Sequence, residues 1–244
     1  RKIQGRIDAY GRWDAIKENW TSSYLNRKSK AGFSINRVVT PLDEWSAEAY
    51  METDYSTITK EDFITTLLNY STFLLSNRLT NQIQLNPFSD TEINLNIDKW
   101  ELFELDKLFT ITGSKTTPLL ELEEYGKGKY SYVTTQATNN GVEGFYDFYT
   151  EEGNVLTVDS AVLGYCSYQP FNFSASDHVE KLIPTFEMNK YVAMFLVTIM
   201  NLEKYRYNYG RKCSQTRMKQ ISIKLPSKNG QPDFEYMENF IKSL

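Results

Sequence analysis

Histidine and cysteine are nearly missing from this sequence: His178 is the only histidine, and Cys166 and Cys213 are the only cysteines. Two distant thiols make neither a disulfide framework nor the paired spacing of a structural zinc site, and they read as reduced cysteines of a cytoplasmic protein. His178 has no nucleophile beside it in sequence, so no Ser/His or Cys/His pair is visible and a structural or capping histidine is the better reading. Long apolar runs are missing too. The longest, Tyr191–Met200, lies between Lys190 and Glu203 and stops well short of the roughly 18 to 20 residues of a spanning helix, so no membrane segment is expected. No charged-then-apolar leader follows Arg1, and a first residue other than Met points to a piece cut from a longer chain.

Catalytic signatures are equally sparse. A metal-dependent nuclease needs acidic residues and a lysine converging on a divalent ion, yet neither Glu235 nor Glu238, which follow Asp233, stands two residues before a lysine. Asn86, Pro87 and Phe88 lack the second proline of the turn with which adenine methyltransferases hold a flipped base. Gly126, Lys127, Gly128 and Lys129 share only composition with a phosphate-cradling loop, and read as a loop tip. No catalytic residue and no metal ligand is therefore assigned.

What is present is a chain of 244 residues, 41% hydrophobic and 24% charged. A chain of this size buries roughly 70 to 75% of its unfolded surface, enough for a core without staples. Trp13 and Trp20, seven apart, share one side of a helix. Asp43–Met51 reads as a short helix. Thr59 and Asp62 form a capping pattern ahead of Phe63, Leu67, Tyr70 and Leu74, which fall on one helical face that should end near Asn77. Asn86, Pro87, Ser89 and Asp90 make a polar connector, and a boundary is expected there, with residues 1–95 as a helical lead-in.

From Trp100 the texture changes to short β-type runs broken by turns: Tyr130–Thr135, Asn139–Gly141, Gly144–Tyr149, Gly153–Val158 and Val162–Tyr168. Met188–Tyr205 is helix-length and apolar, beginning near Asn189, and Ile221, Ile223 and Leu225 alternate before Pro226. The expected fold class is α+β: a helical N-terminal segment, a mixed α/β domain over 96–230, and a C-terminal helix over 231–244 with Pro232 in its first turn. Phe234, Met237, Ile241 and Leu244 form an apolar stripe on that helix. Docking on its own domain and pairing with a partner helix are both open readings of it.

A net charge of −4 offers no general attraction for nucleic acid, but it hides an uneven distribution. Between Lys181 and Lys228 ten Lys and Arg face two acids, Glu187 and Glu203, a local excess of +8. Such a stripe can follow a phosphate backbone. Within it, Lys204, Arg206, Tyr209, Arg211, Lys212, Gln215 and Arg217 mix the residue types that contact phosphates and base edges, because Arg bonds guanine and Asn or Gln bonds adenine through paired groups. Thr135, Gln136, Asn139 and Asn140 could add amide readout, and Lys115 a further phosphate contact. A plain turn and a solvated basic face are the simpler readings of these two groups. The 17 tyrosines leave a glycan groove as a more distant alternative.

From Trp100 to Leu244 the chain resembles the target-recognition domain of type I restriction-modification specificity subunits and related domains of fused type II restriction and adenine-methyltransferase enzymes. The resemblance rests on Trp100, Phe103, Leu105, Leu108, Phe109 and Gly113, then Tyr130–Thr135, Asn154–Val158, Gly164 and Leu182–Pro184. It continues through Tyr207–Arg211 and Leu225 with Pro226. It implies a non-catalytic, sequence-specific binder of double-stranded DNA attached to spacer helices. The partners would be an N6-adenine methyltransferase subunit or domain and the cleaving components; S-adenosylmethionine and Mg are expected on those partner subunits or domains, and none on this chain. Trp45 to Met51 resembles the segment linking methyltransferase and recognition domains in fused enzymes, where a fragment could contribute directly to catalysis. Only one recognition domain is visible, so a bipartite target implies a second copy elsewhere or a homodimer through the terminal helices.

Overall fold

The computed structural model describes residues 53–77, 95–161, 164–207 and 212–244, and the capping pattern at Thr59 opens the first α-helix among them. The Asp62 carboxylate accepts from the Thr59 N–H at 2.8 Å and from its hydroxyl at 3.0 Å, which satisfies a donor that the helix itself leaves unpaired. Helix α1 (Lys60–Ser76) then runs to Asn77, whose side chain donates to the Phe73 carbonyl at 2.8 Å. Its buried side chains are Phe63, Tyr70, Phe73 and Leu74, while Leu67 is half-buried. The Phe63 ring centroid lies 4.8 Å from that of Phe195 and 5.0 Å from that of Phe240.

After a gap in the described residues, β1 (Trp100–Glu104), α2 (Leu105–Leu108), β2 (Phe109–Gly113), α3 (Leu119–Tyr125), β3 (Lys127–Val133) and β4 (Val142–Tyr146) follow in order. Next come β5 (Val155–Asp159), β6 (Cys166–Gln169), β7 (Phe173–Ala175) and β8 (Val179–Pro184), then α4 (Lys190–Leu202) and α5 (Gln215–Met218). The chain finishes with β9 (Ser222–Lys228), β10 (Gln231–Pro232) and α6 (Phe234–Lys242). Among the described residues three sheets result, in the orders β10-β9-β1, β2-β8-β5-β6 and β4-β3-β7. The first two are antiparallel; in the third, β3 runs antiparallel to β4 and parallel to β7. The fold class is α+β, and the alternation of Ile223 and Leu225 is that of β9, which buries both.

Helix α4 explains why Met188–Tyr205 lacks an amphipathic pattern: Val192 to Met200 are all buried. A helix apolar on every side belongs in the middle of a core. Asn189 caps it, its Oδ1 accepting from the N–H groups of Tyr191 at 3.0 Å and Val192 at 3.1 Å. Helix α6 packs along it with Met237, Phe240 and Ile241 buried, so the middle of the C-terminal apolar stripe is covered by its own domain, while Phe234 and Leu244 at its ends are half-buried. Burying each such side chain contributes about 1.5 to 3 kcal/mol.

Two expectations are corrected. Pro232 is not in the first turn of α6; it ends β10, paired with Ser227, and Asp233 is the cap, its Oδ1 accepting from the Tyr236 N–H at 2.9 Å. The boundary near residue 95 does not separate two bodies either. Thr53–Lys204 and Cys213–Leu244 form one compact unit, because α1 is covered by α4 and α6, and residues 231–244 belong to the same unit. The expected helices at Trp13–Trp20 and Asp43–Met51 and the connector at 86–90 lie outside the described residues.

Candidate nucleic-acid interface

Strand register alone assembles one end of the sheet β2-β8-β5-β6. Gly113 at the end of β2 pairs with Glu180, Val179 pairs with Asp159 at the end of β5, and Val158 pairs with Cys166 at the start of β6. The segments that continue beyond these strands share one rim. Lys115, two residues past β2, is exposed. Gln215, first residue of α5, donates from Nε2 to Glu180 Oε2 at 2.7 Å and so ties α5 to the same edge. Its neighbour Arg217 is half-buried, and Ser214 caps the short helix. At the far side the Lys204 ammonium sits 5.4 Å from the centroid of the Tyr165 ring, a cation–π arrangement beside the start of β6. Four of the sequence candidates, Lys115, Lys204, Gln215 and Arg217, therefore meet on one rim.

His178 stands on the same rim with φ at +64°. Its carbonyl accepts from the Ser160 N–H at 2.9 Å and hydroxyl at 3.0 Å, and its ring lies 3.3 Å from the Asp177 carboxylate. These two bonds are made by its main chain; the side chain is about half exposed beside Asp177.

The turn between β3 and β4 has a conformational reason for its sequence. Asn139, Asn140 and Gly141 all have positive φ, at +49°, +55° and +76°, and Asn and Gly are the residues that tolerate the left-handed region. The Val142 carbonyl accepts from both Gln136 Nε2 at 2.6 Å and Asn139 Nδ2 at 2.7 Å. Thr135 and Gln136 are half-buried and Asn139 exposed. Asn140 departs from expectation. It is buried, its Nδ2 donates to the Tyr168 carbonyl at 2.7 Å, and its own carbonyl accepts from Gln169 Nε2 at 3.0 Å. Its amide is committed inward and is removed from the base-reading set. Gln169 also donates to Thr157 Oγ1 at 3.1 Å and Ser167 Oγ at 3.2 Å, so a buried polar network carries the turn from beneath.

Turn and rim meet at a cavity of about 230 Å³ whose lining includes Asp62, Asn69, Tyr70, Asn140, Tyr165 and Lys204. Asn140 and Lys204, drawn from two sequence groups that nothing in the primary structure linked, share its wall. Burial raises the Tyr165 hydroxyl above its ordinary range, and raises Tyr168 to about 12. Burial likewise pushes the Cys166 thiol far up, with Cys213 adding to the effect.

Arg206 and Lys212 fall in a segment outside this compact unit, where the Arg206 guanidinium lies 5.0 Å from the Tyr205 ring centroid. Tyr209 and Arg211 lie outside the described residues. Sequence reasoning missed Glu151, whose carboxylate receives both the Lys115 N–H and the Lys181 ammonium, and Glu180, the partner of Gln215. It counted Glu203 against the basic stripe, yet Glu203 is buried, accepting from the hydroxyls of Thr53 at 2.6 Å and Tyr55 at 2.9 Å. These partners are remote in sequence, and no local signal could have named them.

Comparison with known proteins places this geometry in context. Residues 97–244 match the model of the type I restriction modification DNA specificity domain. The chain is similar to the specificity subunit S.BcgI of a type II restriction enzyme from Heyndrickxia coagulans, with 30% identity over 183 residues, 72% of this chain and 52% of that protein. It thus spans about half the length of that curated relative. Among solved structures, the type I S subunit from M. genitalium matches with a TM-score of 0.44 and 16% identity over 59% of this chain and 38% of that one. The HsdS subunit from Thermoanaerobacter tengcongensis matches with a TM-score of 0.44 and 10% identity over 75% of this chain and 43% of that one. Since the family model covers more than half of the sequence, the chain belongs to the type I restriction modification DNA specificity domain family.

Proposed function

We propose that this chain reads a DNA target sequence for a restriction-modification system, and that adenine methylation and cleavage are carried out by partner subunits or domains. The observation that carries the reading is the meeting of Lys115, Lys204, Gln215 and Arg217 on one sheet rim, joined to the Thr135–Asn139 turn through the cavity shared by Asn140 and Lys204. The rim spans three strand spacings, about 14 Å, comparable with the ~12 Å width of the major groove. Lys115, Lys204 and Arg217 contact phosphates; Thr135, Gln136 and Asn139 reach base edges; Gln215 orients α5. The similarity to a specificity subunit of a type II restriction enzyme supports the same assignment.

In this reading S-adenosylmethionine and Mg are held by the methyltransferase and nuclease components. A bipartite target calls for a second recognition domain, supplied by further sequence or by a second copy, consistent with a chain that spans about half of its relative. Selection from a random duplex pool at several salt concentrations tests the proposal. A retained motif with affinity that falls linearly on a log–log salt plot is the expected result; no enrichment and no salt dependence would refute it.

A further inference from the structure

The geometry points to Glu151 as a positioning residue that holds Lys115 in place for a phosphate contact, an inference that rests on the DNA-reading assignment above. Glu151 stands between β4 and β5, fixed by paired backbone hydrogen bonds with Phe173 at 2.9 and 3.0 Å. Its side chain is only 7% exposed and that of Lys181 only 15%. Oε2 accepts from the Lys181 ammonium, and Oε1 accepts from the main-chain N–H of Lys115. Neutralising Lys181 occupies one carboxylate oxygen; the other is turned to the peptide of an exposed lysine.

The rest of the Ser114–Thr117 segment is fixed as tightly. The Val179 carbonyl accepts from the Ser114 N–H at 3.1 Å and hydroxyl at 2.8 Å. The Thr117 N–H donates to the Ala175 carbonyl at 2.8 Å, beside a bridge between Thr116 and Ala175. An irregular segment at a sheet rim thus has its backbone held by β7, by β8 and by Glu151 while the Lys115 side chain stays exposed. Such pre-organisation matters when a side chain must meet a fixed external charge, because the ordering cost is met before binding. Glu151 touches no DNA in this scheme. It acts through Lys115.

The test compares three variants of the full chain on a random-sequence duplex: Lys115→Ala, Glu151→Gln with Lys181→Met, and Glu151→Leu with Lys181→Met. The glutamine pair keeps an oxygen for the Lys115 N–H, whereas the leucine pair removes it without leaving a buried charge. Loss of one phosphate contact lowers the log–log salt slope by about 0.9. The inference expects that loss in Lys115→Ala and in the leucine pair, and a wild-type slope in the glutamine pair. A leucine pair with the wild-type slope and an unchanged thermal midpoint would overturn it. So would Lys115→Ala with no change in slope while Arg217→Ala lowers it, an outcome that leaves the DNA-reading assignment standing. Absence of salt-dependent binding by the wild type removes that assignment itself. Should the leucine pair not fold, amide hydrogen exchange at Lys115 in the wild type reads the same bond: protection supports the inference, and rapid exchange overturns it.

Discussion

Asn201 bonds both main-chain polar groups of Cys166: Oδ1 accepts from the Cys166 N–H at 3.0 Å, and Nδ2 donates to the Cys166 carbonyl at 3.0 Å. One carboxamide thus bonds to β6 as a neighbouring strand would and fixes helix α4, which leads into Lys204, to that sheet edge. Asn201→Leu should therefore cost about 1 to 3 kcal/mol, because two buried backbone groups lose their partners. Urea unfolding with an unchanged slope and a lower midpoint would show it. A wild-type midpoint would mean that water replaces the amide at no cost.

The left-handed turn gives a second expectation. Asn140→Ala loses the bond to Tyr168 and places a less tolerant residue at a φ of +55°, which together should lower stability by about 1 to 3 kcal/mol. Gln169→Leu should act in the same direction, since the Asn140 carbonyl then has no donor from beneath. Thermal unfolding of the two single variants and the double variant would show less than additive losses if the network is one unit.

Both cysteines are buried, and burial holds the Cys166 thiol in its protonated form. The thiolate is the reactive species, so alkylation of native protein should be slow at neutral pH and become rapid on unfolding. Mass spectrometry of time-resolved labelling, with and without denaturant, measures this. Rapid native labelling of Cys166 would contradict the packing around β6.

Stability should fall on the alkaline side. Burial raises Tyr168 from 10.0 to about 12, so its neutral form is favoured in the folded state. That contribution is complete below pH 10 and is lost as the pH rises toward 12. Tyr70, raised by burial and by Tyr168, shifts the balance in the same direction. Urea midpoints that stay constant over this range would refute it.

Lys204→Ala and Arg217→Ala should each reduce the salt slope of duplex binding by about 0.9, with little sequence dependence. Asn139→Ala should instead alter which duplexes are retained. Equal effects of all three variants on every duplex would place the turn on the phosphate backbone rather than on base edges.

The sequence discloses an element where the local pattern and the tertiary role agree. The Thr59 and Asp62 cap, the Asn189 start of α4 and the Ile223–Leu225 alternation are such places, since each depends on residues within a few positions. Strand β8 is the opposite case. Val179–Pro184 buries Val179 and Leu182, three apart, because Glu180 and Lys181 are held at the rim by Gln215 and Glu151. Charges in mid-strand read as loop until those distant partners are known. Strand β1 fails for another reason: among its five residues only Trp100 is buried, so no alternation exists to detect.

The candidate site shows the same division. Residue types named a basic stripe and an amide turn, and three of the proposed phosphate contacts do share a rim. Yet Asn140 looks like its neighbour Asn139 in sequence and is buried where Asn139 is exposed, held there by bonds with Tyr168 and Gln169.

Finally, the ring of Phe63 is covered by Phe195 and Phe240. During synthesis α1 leaves the ribosome before either cover exists; α4 then supplies Phe195, and the second cover, Phe240, comes only with α6. The packing around Phe63 is therefore complete only when α6 has emerged, and a nascent chain stalled before Phe240 leaves one side of that ring open to chaperones.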